Sequence, residues 1–464
     1  MTVPMSRGLR SRASTRLRVA RCGVLLALFT VALAIAPRGA AAEDPPPRPL
    51  PDYEGRPPPP PSAGDVALWI PRVIFSPVYF VSEFLIRRPI GALITAADRA
   101  NLPSTLYDFF AFGPNHKAGF VPLAFIDFGF KPSVGLYLFW DDAFFKGDDL
   151  RLHASTGGAD WLAGSLTQRI RLPGARSLTL GVVGIRRPDH VYFGMGPTAP
   201  ESAKSRYGED FLDGTMTFDV PLWRSSRVQT AIGVRTASFY DGHFGSDPTL
   251  TQQVRAGVFK LPPGFLNGYT AETNRVLVAL DSRRKYPASG SGVRLEGRAL
   301  LGNDLSQSPA SGWVRTDATA AGYVDVDGHR RVISLTAQAS FSDPLGPGPV
   351  PFTELVSLGG DIEPMPGFYP GRLVDRSAAV ATLRYRWPIG PWLDGSMQAA
   401  VGDVFGPHLE GFDPGLLRVS AALGIESDSS PDNAIHFLIG FGTETFDHGG
   451  QIDSFRLAFG TSRF

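Results

Sequence analysis

Between Gly359 and Gly390 the chain reads GGDIEPMPGFYPGRLVDRSAAVATLRYRWPIG, a stretch that places Arg372, Asp375 and Arg376 together and Arg384 and Arg386 among aromatics. Guanidinium and carboxylate groups at this spacing make ion pairs rather than nucleophiles or proton relays. Residues that could do other chemistry are sparse. Eight histidines (116, 153, 190, 243, 329, 408, 436 and 448) are scattered, with no pair at metal-ligand spacing. No Gly-x-Ser-x-Gly elbow is present, and ASGSGV (288–293) has its glycines at the wrong offsets around Ser291, where a turn is sufficient explanation. The expectation is a protein without enzymatic activity, cofactor or metal.

The elements that carry the arginines have a period of two. Ala379, Ala381, Leu383, Tyr385, Trp387 and Ile389 share one face, and Ala378, Val380, Thr382, Arg384 and Arg386 share the other. The same alternation recurs in 333–341, 417–426, 212–220 and 293–299, each run of about ten residues bounded by turn residues such as KGDD, LPGA and DVDGHR. About sixteen such strands are expected, an even number as in bacterial barrels, starting near 119, 133, 149, 161, 176, 210, 228, 272, 291, 312, 331, 377, 393, 416, 434 and 453. Long connections fall near 187–209, 240–270 and 343–376, and one of them could fold back into the interior.

Alternation alone fits a soluble sandwich, with its apolar face inward, or a membrane barrel, with its apolar face toward lipid. Context favours the barrel. Residues 1–42 read as a secretory signal, with Arg7 to Arg21 basic, an apolar core GVLLALFTVALAIA and a small-residue site at Ala40–Ala42. The only cysteine, Cys22, lies within that signal. Residues 43–63 form a proline-rich linker, and 64–117 form a kinked, amphipathic helical segment on the periplasmic side. The barrel occupies 118–464, too long for one sandwich. Phe139, Trp140, Trp161, Tyr385, Trp387 and Trp392 suit interfacial girdles, with core aromatics as the alternative. A net charge of +1 gives no footprint for nucleic acid. The fold class is thus all-β, a transmembrane antiparallel barrel in the bacterial outer membrane, with lipid as its surroundings.

Four stretches resemble the bacterial surface antigen barrels, the outer-membrane superfamily of BamA and TamA. They are VLVALDSRRKYPASGSGVRLEG (276–297), HVYFGMGPTAPESAKSRYG (190–208), the 359–390 stretch ending in YRWP, and the terminal SFRLAFGTSRF. The resemblance implies outer-membrane assembly or translocation, with unfolded outer-membrane clients as partners. It also implies that Phe455, Leu457, Phe459, Gly460 and Phe464 form a signal read by the barrel assembly machinery. Because Phe464 is out of phase with the others, a bulge is expected at Gly460. A structural barrel or passive pore without client handling is the alternative. About 75 residues precede the barrel after the signal, too few for the family's client-binding repeats alongside the linker and helices.

In the family an arginine precedes the Gly-aromatic pair of the inward loop and bonds to an aspartate on the following wall. Here Pro366 stands before Gly367 and Phe368, and Ala400 stands at the aspartate position. Losing one partner costs roughly 3–5 kcal/mol and losing both is nearly neutral, so the double loss is coherent. Arg372 is the candidate replacement anchor, with a solvated Arg372, Asp375 and Arg376 cluster as the alternative. The lumenal Arg294, Arg298, Arg384, Arg386 and Arg418 suit a salt-bridged plug, a charged pore or simple solvation.

Overall fold

Each strand begins where the alternating pattern emerges from a turn. The computed structural model describes residues 88, 92 and 109–460, apart from 285–289, 307–310, 327, 329, 361–363, 390–392 and 428–435. The signal, the linker, most of the 64–117 segment, Trp392 and Phe464 lie outside the described residues.

Sixteen antiparallel strands close into a barrel. They are β1 (Ala118–Asp127), β2 (Ser133–Asp141), β3 (Asp148–Gly158), β4 (Trp161–Leu172), β5 (Arg176–Tyr192), β6 (Ser205–Pro221), β7 (Arg227–Asp241) and β8 (Tyr269–Asp281). The second half comprises β9 (Gly292–Asp304), β10 (Gly312–Asp325), β11 (Val332–Pro344), β12 (Ser377–Pro388), β13 (Leu393–Phe405), β14 (Arg418–Ser427), β15 (His436–Thr443) and β16 (Ile452–Gly460). Neighbours in sequence are neighbours in space, and β16 returns to β1. The connections 193–204, 242–268 and 345–376 leave one end, and the chain enters β1 at the opposite, short-turn end.

The strands differ from the expected length of about ten residues: β5 and β6 each have 17 and β15 has 8. The first long connection is correspondingly shorter than expected. The exterior faces of β5 and β6 end in Arg186 and Asp210, which pair at 2.8 Å above the apolar Val182 and Leu212. Their ladder therefore continues past the apolar band.

The inside-out pattern is plain in β11. Leu335 is 63% exposed on the outer face, whereas Ser334, Ser340 and Ser342 are buried on the inner one. Leu162, Leu180, Met216, Ile232, Val278 and Leu295 continue the apolar exterior on other strands. A soluble sandwich would bury these side chains and wet the serines, because removing apolar area from water drives folding.

The apolar packing inside sits at the long-connection end, where 345–376 folds into the barrel. Its short strands 356–358 and 373–375 pair with each other, not with the wall. Among the girdle aromatics, Trp140 is exposed as expected, but Trp161 and Trp387 are buried and do not form a belt. Trp387 lies across Gly395 on β13, its register partner, where a Cβ would collide with the indole. Gly302 receives Trp313 in the same way. Glycine here provides room for a ring on the adjacent strand.

Candidate functional site: the inward loop and the barrel seam

Gly367 brings the tip of the loop onto the inner wall. Its N–H donates to Ser420 Oγ on β14 at 2.8 Å, and its carbonyl accepts from Ser454 Oγ on β16 at 2.8 Å. Between those strands the backbone of β15 approaches so closely that a Cβ on Gly367 would overlap the Phe441 carbonyl. Gly440 and Gly442 leave the matching space on β15, the latter for the Phe368 ring.

Phe368 and Met365 are fully buried with Val356, Leu358, Leu373, Val380, Ala400 and Val404. Ala400 occupies the position where the resemblance implies a carboxylate, and it faces an apolar cluster. The tip is thus held by packing and backbone hydrogen bonds. Replacing a buried ion pair by packed apolar groups is often neutral or stabilising.

Arg372 is buried beyond the tip. Its Nη1 donates to Ala199 O at 2.9 Å, Nε lies 3.1 Å from Glu201 and Nη2 lies 3.6 Å from Asp453. Its guanidinium also stacks over the Phe193 ring at 4.7 Å. Burial pushes the Glu201 carboxyl up, against the pull of Arg372 and Lys204. Arg418, from β14, completes the cluster: it reaches Asp403 at 3.1 Å, Glu444 at 3.0 Å, Asp453 at 3.6 Å and Pro197 O at 3.0 Å. Two arginines therefore tie the 193–204 connection and the inward loop to β13, β14 and β16. Asp453 reaches both because a register shift opposite Gly442 and Thr443 leaves it unpaired on β16. A bulge of this kind re-aims a side chain. Gly460, where a bulge was expected, is in register with His436 and Phe125, and the residues after it lie outside the described ones.

The remaining candidates divide into separate groups. Asp375 accepts from the Arg376 N–H at 2.7 Å, and Arg376 binds Asp343 at 2.7 Å, so neither joins the Arg372 cluster. Arg384 pairs with Glu426 at 2.8 Å and Arg386 lies 3.6 Å from Asp394, both toward the short-turn end. Arg294 pairs with Glu296, as does Arg298 at 3.2 Å. Phe455 and Phe459 are exposed on the outer face of β16, and Leu457 is half-buried between them.

A weakly closed seam between the first and last strands was expected for a protein-handling barrel, but the side-chain pairing that closes it was not among the sequence candidates. Among the described residues β16 and β1 pair only at Ala458, Phe459 and Gly460, opposite Asp127, Ile126 and Phe125, whereas β6 and β7 pair at fifteen positions. Above those pairs the join is made by a side-chain ion pair and one backbone hydrogen bond. Arg456 forks onto Asp127 at 2.9 and 3.3 Å, and Phe128 N–H donates to Leu457 O at 2.9 Å. The turn after β1 is pinned as well: Gly129 O accepts from Arg206 at 2.7 Å, and Phe130 packs against Val191, Phe193 and Tyr369 of the inward loop. The inward loop thus touches both sides of the seam, through Ser454 and Asp453 on β16 and through Phe130 beside β1. The isolated Arg456 and Asp127 on inner faces were the only sequence signal for this pairing.

A closed sixteen-stranded antiparallel barrel with a loop folded into its lumen is the class these features define. Its barrel resembles those of bacterial outer-membrane proteins. The chain is similar to BamA from Haemophilus ducreyi lacking POTRA domains 1–3, at 15% identity over 74% of this chain and 70% of that one, with a TM-score of 0.49. It is also similar to CdiB from Acinetobacter baumannii (12% identity, 74% and 59% of the chains, TM-score 0.46) and CdiB from Escherichia coli (13%, 75% and 64%, 0.45). It spans less than two thirds of either CdiB chain. No protein-family model and no curated protein matches the sequence.

Proposed function

We propose that the chain is an integral, non-enzymatic barrel of the bacterial outer membrane that handles polypeptide at the seam between β1 and β16. The apolar exterior around a polar, loop-filled lumen supports the membrane placement. The seam is the observation that carries the polypeptide role. Among the described residues β16 joins β1 through three residue pairs and the Arg456–Asp127 fork; a strand with so short a ladder is a template for another strand, and side-chain contacts can release it without breaking a long ladder. Unfolded outer-membrane clients are the partners that fit such an edge. Phe455, Leu457 and Phe459 suit recognition of this chain itself by the barrel assembly machinery.

A disulfide between Ile126→Cys and Phe459→Cys, which face each other across the seam, tests this. The protein, carrying Cys22→Ser if the signal is retained, is reconstituted in lipid bilayers, and insertion of a client barrel and ion conductance are measured oxidised and reduced. Loss of insertion on oxidation, with recovery on reduction, supports the seam as the working site. Insertion unaffected by the disulfide overturns it. The lumenal arginines favour a passive pore as the second reading, and conductance without insertion would establish that reading instead.

A further inference from the structure

The inner wall of β8–β10 gathers arginines beneath the inward loop. Arg275 on β8 faces Leu300 on β9, and Leu300 faces Arg315 on β10. Arg298 on β9 lies diagonally across from Arg275, opposite Leu277. Most of these guanidiniums are occupied. Arg315 lies 3.3 Å from Asp317 and donates to Leu355 O of the loop at 3.4 Å. Arg298 lies 3.2 Å from Glu296. On β7, Arg235 is taken by Glu354 at 2.8 Å and Asp213 at 3.3 Å.

Arg275 is the exception. Among the described residues it has no hydrogen-bond acceptor or carboxylate partner, and its Nε is buried without one. The charged groups that bear on it are Arg235 and Arg298, which repel it, and Asp213, which attracts it; the Asp213 Oδ2 is held by Arg235 at 3.3 Å, whereas its Oδ1 is buried without a hydrogen-bond partner. Ala231 and Leu300, its cross-strand partners, offer no acceptor. A guanidinium presents five donors in a planar fork matched to carboxylate or phosphate oxygens, and leaving it unsatisfied in a partly desolvated wall is costly. An anion there would restore hydrogen bonds and relieve the repulsion among the arginines.

We propose that this wall binds a small oxyanion, phosphate or carboxylate, with Arg275 as the forked donor and Arg298 as the second cation. The loop residues Glu354 and Leu355 cap the site on one side through Arg235 and Arg315. The anion therefore enters from the short-turn end. Asp317 and Glu296 hold the flanking arginines in place and limit the site to one small anion.

Calorimetric titration of the full chain in detergent, with inorganic phosphate in one arm and citrate in the other, tests the site and separates the two chemistries. Saturable binding is expected in at least one arm, weakened about tenfold or more by Arg275→Gln, since a charge-assisted hydrogen bond is worth at least that factor. Arg298→Gln should weaken it less. Arg169→Gln, on the inner face of β4, should leave it unchanged. Arg275→Lys keeps the charge without the fork and should fall between wild type and Arg275→Gln, which separates recognition from misfolding. Absence of saturable binding in both arms, or equal weakening by Arg169→Gln, would overturn the site in favour of diffuse lumenal charge.

Discussion

Removing the Arg372 side chain should loosen the inward loop by an amount that follows from its contacts. The charge-assisted hydrogen bond to Ala199 O is worth about 1.5–3 kcal/mol. Glu201 is 40% exposed, so its pairing adds only about 0–1 kcal/mol. Asp453 keeps Arg418 at 3.6 Å after the substitution and is not orphaned, which keeps the loss below the upper end of the roughly 3–5 kcal/mol for breaking a buried pair. Relief of repulsion between Arg372 and Arg418 reduces it further. A net loosening of about 2–3 kcal/mol raises the open population of the loop roughly 30- to 150-fold. Hydrogen exchange read by mass spectrometry over 364–376 and 193–204 in Arg372→Ala should accelerate by that factor, while β9–β11 stay protected. Unchanged exchange in both segments of a folded variant would refute the anchoring role of Arg372.

Pro366→Arg should place an unpaired cation against Met365, Phe368 and Ala400 and cost about 3–5 kcal/mol, whereas the double variant with Ala400→Asp should regain most of it. Simple additivity in urea unfolding midpoints would count against Ala400 facing that position. Leu335→Arg on the outer face should destabilise the barrel by about 2–4 kcal/mol in bilayers if it sits near the midplane, while Thr336→Arg on the inner face should cost far less. Equal effects in lipid-refolding titrations would contradict the assigned faces.

Strand number, strand starts and the orientation of each face were legible because side-chain direction in a strand is fixed by parity. Fifteen of the sixteen starts fall within two or three residues of the pattern. The exception, β6, begins at Ser205 instead of near 210, because its ladder extends past the apolar band where hydrophobic alternation stops marking it. Trp161 and Trp387 were misplaced because parity gives a face but not what covers a ring.

The alternation of apolar and polar residues by itself determined a sheet with two unlike faces, and Pro366 and Ala400, standing where the resemblance implies an ion pair, signalled that the inward loop is held in another way. Only the tertiary structure decided what holds it instead. The contacts of Arg372 and Arg418 with Asp453, and of Arg456 with Asp127, join residues far apart in the chain. Local periodicity carries no information about such pairings, because barrel closure, the bulge at Asp453 and the inward fold of 345–376 set them together.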